Sequence, residues 1–229
     1  MSNCIYSLNY LNKIGKVELC RLLFAVADVN YEDNFIEKIT DKDVQVGFMP
    51  YLNIGLLTSV PCISTICRFL AREFNLGGQT SIKEAQCDAI AQNCMFLIDT
   101  YYRDVNDVEN IDTKKINLKN YLENEVNNVA GVVEELVEKY NTSDPFQSGK
   151  QFNCYAVGEK LTYADLFIYE MVSKYFPCDS DSLPRDYPNL YRIKEQVESL
   201  PNVRKFNEEN EYLTPKLSKD VINDISKEE

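Results

Sequence analysis

Between Glu18 and Val26 the apolar residues Leu19, Leu22, Leu23 and Val26 recur three, four and seven positions apart, which predicts an amphipathic helix. Ahead of it, Cys4 to Tyr10 is a β-prone run that ends at the loop signal Asn12-Lys13-Ile14-Gly15. A second strand is expected over Tyr31 to Ile36, which makes the opening a βαβ unit. Further on, Phe48 to Leu52 and Leu56 to Thr58 flank Asn53-Ile54-Gly55 in the pattern of a short hairpin. Ile63, Ile66, Cys67 and Leu70 then repeat the helical stripe, which stops before Gly77-Gly78.

Past Gly78 the strand pattern disappears. Ser81 and Glu84 read as a capping box, and Ile90, Cys94, Leu97 and Tyr101 lie on one face of the helix that follows. Leu122, Val126, Val129, Val133, Leu136 and Tyr140 alternate steps of four and three, so a long helix is predicted there. Asn141 to Val157 reads as a loop. Thr162-Tyr163-Ala164-Asp165 is a second capping motif, and its helix is apolar around most of its circumference, as a centrally buried helix should be. Leu190, Ile193, Val197 and Leu200 mark another helix, stopped by Pro201, and from Thr214 the chain is polar. These patterns divide the chain into an α/β domain over residues 1–78 and an all-helical domain over 79–229, with about 214–229 as a tail.

Charge and composition narrow the chemistry. A formal net charge of −12 opposes binding to nucleic acid or an anionic membrane surface. Leu161 to Phe176 contains Asp165, Glu170 and Lys174 and falls short of the roughly 20 residues a bilayer needs, so no membrane span is expected. The N-terminus lacks the basic and apolar order of a signal peptide, and the 8 cysteines are dispersed, which together predict reduced thiols and a cytoplasmic address. With 0 histidines and no CxxC pair, zinc patterns and histidine-dependent nucleophile systems drop out, and no metal is expected.

The order α/β then all-α brings out a resemblance. Leu8 to Glu18 followed by Arg21-Leu22-Leu23-Phe24-Ala25 resembles the opening of sigma-class glutathione transferases. Arg68 to Gly78 resembles the end of their first domain, Glu84 to Ile90 the start of their second, and Leu161 to Asp165 with Tyr187 to Leu190 their later motifs. The resemblance covers roughly residues 3 to 210. It implies a thioredoxin-like N-terminal domain, an all-helical C-terminal domain and a two-fold homodimer. It also implies glutathione as co-substrate and an apolar electrophile as its partner in conjugation.

Residue by residue, the resemblance makes Tyr10 the hydroxyl that donates a hydrogen bond to the glutathione sulfur, although taken alone Tyr10 is equally a packed strand-end tyrosine. Such a bond to a charged acceptor contributes about 1.5–3 kcal/mol, enough to lower a thiol pKa of about 8.5 by about one to two. Pro50 stands where the family has a cis-proline, with Met49 contributing its main chain to the cysteinyl part of glutathione. A turn proline is the alternative. Lys16 keeps the basic character of the first loop. The Gln-Ser pair that holds the γ-glutamyl carboxylate is missing. Counting back from Arg68 puts Cys62 and Ile63 there, counting forward from Pro50 puts Pro61 and Cys62, and Thr58-Ser59 serves only if the helix begins earlier. Lys38 and Lys42 are loose stand-ins for the glycyl carboxylate contacts, Met95-Phe96 replaces the acidic residue offered by a neighbouring subunit, and Tyr101 and Tyr102 are candidates for the second-substrate wall. The alternative reading is a noncatalytic member of the fold with weak or no glutathione binding. A third uses Cys62 at a helix N-terminus for a mixed disulfide with glutathione.

Overall fold

The computed structural model describes residues 5–11, 16–38, 49–56, 58–142, 155–176 and 183–210. The loop at 12–15, Lys42, Phe48, Leu57, Cys4, Cys154, Cys178 and the tail from Thr214 lie outside them. Residues within Met1–Gly77 and Leu200–Thr214 form one compact unit, and those within Gly78–Ser199 form another.

In the first unit, strands β1 (Tyr6–Leu11), β2 (Glu32–Ile36), β3 (Tyr51–Ile54) and β4 (Thr58–Pro61) make a sheet of order β2-β1-β3-β4. The parallel pair β1–β2 is bridged by helix α1 (Glu18–Ala27), because parallel neighbours need a crossover, while β3 pairs antiparallel with both β1 and β4. Helix α2 (Ile63–Glu73) follows β4 and packs on α1. Leu8, Leu22, Leu23, Phe24, Leu52, Ile66 and Leu70 are fully buried between these elements, each contributing about 1.5–3 kcal/mol of transfer free energy. Phe24 stacks on Tyr31 with ring centroids 4.2 Å apart and meets Tyr6 and Phe74 at tilted angles.

The hairpin turns later than its sequence suggests. Asn53 and Ile54 are paired with Ser59 and Thr58, and Ser59 Oγ donates to Asn53 Oδ1 over 2.6 Å, so the chain reverses at Gly55 and Leu56 instead. Gly55 supplies the positive φ of 53° that this reversal uses. Thr58-Ser59 is therefore strand, which removes it as a helix-start substitute for the missing Gln-Ser pair.

The second unit contains helices α3 (Ser81–Tyr101), α4 (Ile111–Asn120), α5 (Val126–Thr142), α6 (Tyr163–Tyr175), α7 (Leu183–Asp186) and α8 (Pro188–Glu198). The cap of α3 is Thr80, whose hydroxyl accepts from Lys83 N over 3.3 Å, and not the expected Ser81. Gly78 explains the tight entry: at φ 102° it lies so near the first turn that a Cβ would sit 2.9 Å from Glu84 N. The long stripe beginning at Leu122 is interrupted by a π-helical turn over Tyr121–Glu125, seen as a five-residue step between the buried residues Tyr121 and Val126. Every residue of α6 except Ser173 is buried, and α6 packs against both α3 and α8, as its all-round apolar sequence requires. After Pro201 the chain forms helix α9 (Pro201–Asn210), which buries Val203 and Phe206 and packs on α1 in the first unit. The sequence reading keeps that segment with the helical domain.

Candidate functional site

Strand register brings Tyr10, Pro50 and Cys62 to one end of the sheet. Asn9 pairs with Tyr51, so Tyr10 and Pro50 are the next positions on adjacent strands, and Tyr51 pairs with Pro61, so Pro50 is opposite Cys62. The last relation is sealed by Cys62 N donating to Pro50 O over 3.0 Å. The Met49–Pro50 peptide bond is cis, as the resemblance implies. Met49 and Pro50 are half-buried, Cys62 is exposed, and Ile63 opens α2 half-buried. Lys16, also half-buried, stands in the turn entering α1 and is not joined to this group by the strand ladders.

The start of α2 is suited to an anion. Its first turn carries no acidic residue, and its first backbone N–H groups have no partners within the helix, so the positive end of the helix dipole is not offset locally. Cys62 precedes it at φ 68° and ψ 131°, a sparsely populated conformation, and makes no side-chain cap bond. Neither Cys62 nor Ile63 offers the hydroxyl of the family's Gln-Ser pair. Ser64 and Thr65, one and two residues further into the same turn, are the hydroxyls that follow.

Tyr10 is 7% exposed at the end of β1, with Phe35 of the paired strand 6.1 Å away between ring centroids. Its hydroxyl oxygen accepts a hydrogen bond from Arg21 Nη2 on α1, and the guanidinium carbon stands 4.6 Å from the Tyr10 ring centroid. Arg21 is itself buried and spends its other donors on carboxylates. Nη1 donates to Glu18, Nε donates to Asp33 Oδ2 over 3.0 Å, and Nη2 is 2.9 Å from that same Asp33 oxygen. Burial opposes the arginine's charge, but the Glu18 and Asp33 carboxylates outweigh it and hold Arg21 protonated. Burial also pushes the Tyr10 hydroxyl above its ordinary value of 10.0, with the charge of Arg21 pulling the other way and Asp33 reinforcing the rise. Tyr10 therefore keeps its proton at neutral pH and can donate it.

Sequence reasoning missed Arg21 as a site residue. Its signal was an arginine set among Leu19, Leu22 and Leu23 with Glu18 one helical turn before it, a charged pair that has to be satisfied inside the fold.

Tyr101 and Tyr102, candidates for a second-substrate wall, are 9% and 6% exposed in the second unit. Tyr101 packs against the rings of Tyr121 and Tyr175, and Tyr102 accepts a hydrogen bond from Tyr175 over 3.4 Å, so both are core residues of that unit. Cys20 and Cys67 bring their sulfurs to 3.7 Å between α1 and α2 as free thiols, and burial pushes the Cys67 thiol up. Among the described residues no group of cysteine and carboxylate side chains is placed to hold a metal ion, and no helix is long and apolar enough to cross a membrane.

Residues 100–210 match the model of the glutathione S-transferase C-terminal domain. Over 204 residues the chain is 31% identical to hematopoietic prostaglandin D synthase of Gallus gallus, covering 86% of this chain and 92% of that protein. It is 29% identical over 210 residues to S-crystallin 2 of Enteroctopus dofleini, with 85% and 91% covered. Among solved structures, the glutathione S-transferase from Ascaris lumbricoides superposes with a TM-score of 0.65 at 26% identity, covering 89% of this chain and 96% of that one. Taken with the four-stranded sheet and the helical unit that follows it, these similarities show that the chain belongs to the glutathione transferase superfamily.

Proposed function

We propose that the protein conjugates glutathione to apolar electrophiles, with Tyr10 stabilising the thiolate. The observation that carries this reading is the convergence of Tyr10, the cis Met49–Pro50 bond and the N-terminus of α2 at one end of the sheet. A thiol of pKa about 8.5 is only a few per cent ionised at pH 7, and the ionised form is the nucleophile. Tyr10 donates its O–H to the sulfur and favours that form. The main chain of Met49, beside Pro50, is offered to the cysteinyl unit, the start of α2 at Cys62 and Ile63 to the γ-glutamyl carboxylate, and Lys16 to a carboxylate by charge. Glutathione is a co-substrate, and the assembly is a two-fold homodimer.

The absence of a hydroxyl and amide pair at Cys62 and Ile63 supports a second reading, a noncatalytic member with weak or no glutathione binding. Losing three hydrogen bonds to charged groups at about 1.5 kcal/mol each weakens binding by roughly a thousandfold. Calorimetric titration with millimolar glutathione, followed by turnover with a chlorodinitrobenzene, separates the two. Weak binding with turnover supports the transferase. No binding and no turnover supports the noncatalytic member.

A further inference from the structure

Two oxygens share one nitrogen beside the proposed reaction centre. Arg21 Nη2 donates to Tyr10 Oη and is also 2.9 Å from Asp33 Oδ2, which places the tyrosine hydroxyl and the Asp33 carboxylate side by side on one buried cation. Arg21 cannot swing away from this position, because Nη1 is held by the fully buried Glu18 and Nε by Asp33. The hydroxyl oxygen thus spends acceptor capacity on Arg21, and its single proton has to go to another acceptor. Burial raises the Tyr10 pKa, and the negative charge of Asp33, held on the same Nη2, adds to that rise against the pull of Arg21.

We infer that Tyr10 is tuned from behind: Arg21 is a positioning residue that holds the hydroxyl oxygen, and Asp33, drawing on the same Nη2, weakens that hydroxyl as a hydrogen-bond donor to an incoming thiolate. The inference rests on the thiol-activating role proposed above for Tyr10 and adds what governs it. No covalent bond is made or broken at Tyr10. The hydroxyl keeps its proton throughout and gives its hydrogen bond to the sulfur, while the thiol proton leaves to solvent. Asp33 offsets the charge of Arg21 on their shared nitrogen, so Asp33 acts as a brake on activation and Arg21 as the support that makes the hydroxyl a stronger donor. The charged and titratable groups around the hydroxyl are Arg21 and Glu18 from α1, Asp33 from β2, and Tyr31 from the segment leading into β2.

Opposite responses to two substitutions follow. Asp33, half-exposed on an edge strand, is changed to Asn, which keeps its size and removes its charge. Arg21 is changed to Lys, which keeps the charge on one nitrogen but cannot hold Tyr10, Glu18 and Asp33 together. The ionisation midpoint of Tyr10 is read without glutathione by tyrosinate absorbance in a stopped-flow pH jump, each chain being compared with its own Tyr10→Phe counterpart. The expected result is a lower midpoint in Asp33→Asn and a higher one in Arg21→Lys. Turnover at neutral pH should rise about threefold or more in Asp33→Asn and fall about tenfold in Arg21→Lys, mainly in kcat.

Unshifted Tyr10 midpoints in folded variants would overturn the inference, as would both variants slowing turnover alike. Should Arg21→Lys fail to fold, the direction of the Asp33→Asn shift decides alone. Shifted midpoints in a wild-type protein that shows no turnover would sustain the control of Tyr10 by Arg21 and Asp33 and overturn the transferase reading. Turnover that depends on Tyr10 with unshifted midpoints would do the reverse.

Discussion

The backbone N–H of Cys62 donates to the Pro50 carbonyl over 3.0 Å, one rung beyond the last strand pair, Tyr51 with Pro61. That rung pins the start of α2 to the cis-proline and holds Cys62 at φ 68° and ψ 131°. A non-glycine residue kept in such a region costs about 1–3 kcal/mol. Replacing it by glycine relieves that cost and adds about 0.5–1 kcal/mol of backbone entropy to the unfolded chain. The Cys62 side chain is exposed, so little packing is lost. Cys62→Gly should therefore raise Tm by about 2–4 °C, the response to a net gain of about 1 kcal/mol in a chain of this size. Cys62→Ala, which keeps a Cβ, should leave Tm unchanged. Equal melting temperatures for the two variants would mean that the residue is unstrained.

Tyr10→Phe should slow turnover at neutral pH by roughly ten- to a hundredfold, the equivalent of a hydrogen bond to a thiolate worth about 1.5–3 kcal/mol. The deficit should shrink as pH rises toward and past the thiol's own pKa, where solvent ionises glutathione unaided. The fold should survive, because Arg21 Nη2 retains Asp33 as a partner. Lys16→Ala should raise the glutathione concentration needed and leave the maximal rate nearly unchanged, since a distant charge contact binds ground state and transition state alike. A flat pH profile for the Tyr10→Phe deficit would remove thiol activation from the role of this residue.

Asp165 is the clearest source of pH-dependent stability. Its carboxylate is fully buried at the start of α6 and accepts from Ala156 N at 2.6 Å and from Thr162 N and Oγ1, each at 2.8 Å. Burial pushes its pKa up to about 6, while these donors pull the other way. In the unfolded chain an aspartate titrates near about 3.9, so between about pH 4 and 6 the folded form holds a proton that the unfolded form has lost. The contribution of Asp165 to stability accordingly falls as pH rises through that window and is level on either side. Asp165→Asn should flatten the dependence of the urea midpoint on pH across that range. Asp165→Ala should cost about 3 kcal/mol or more at any pH, because two buried N–H groups lose their acceptor. Parallel pH profiles for wild type and Asp165→Asn would assign the titration elsewhere.

The sequence carried the elements whose cause is local. Helix α1 and the wholly buried α6 follow from the spacing of their own apolar residues, and Thr162 with Asp165 announces the start of α6. What it concealed depends on partners distant in the chain. Asn53-Ile54-Gly55 looks like a turn, yet Ser59 draws Asn53 into the ladder and moves the reversal onward. Pro201 reads as a stop because it cannot continue a helix, but the same missing N–H suits the first position of another, and α9 begins there. The five-residue step from Tyr121 to Val126 breaks an alternation of fours and threes that looks unbroken when counted from Leu122. At the site, Tyr10 and Pro50 were legible through the family pattern. The Arg21 network was not, because only the parallel pairing of β1 with β2, which sets Asp33 beside Leu8 two positions before Tyr10, brings that carboxylate to Arg21.

Glu134 on α5 caps a helix to which it does not belong. Its Oε1 accepts from Asn189 N at 2.9 Å and Asn189 Nδ2 at 2.7 Å, and its Oε2 accepts from Leu190 N at 3.0 Å, so one carboxylate takes two of the free N–H groups at the start of α8. Pro188, just before them, has no N–H to satisfy. The negative charge also lies at the positive end of the α8 dipole, where it is favoured. Leu190, Ile193 and Val197 of α8 are fully buried and α8 packs on α6, so loosening this end reaches the core of the helical unit. Glu134 is only half-buried, and water can replace part of what is lost. On that basis Glu134→Ala should cost about 2 kcal/mol and Glu134→Gln, which keeps the acceptor and loses the charge, about 1 kcal/mol. Urea denaturation at constant m value would read both, and the gap between the variants should narrow in high salt as the charge is screened. Identical midpoints for wild type and Glu134→Ala would show that solvent caps α8 as well as this carboxylate does.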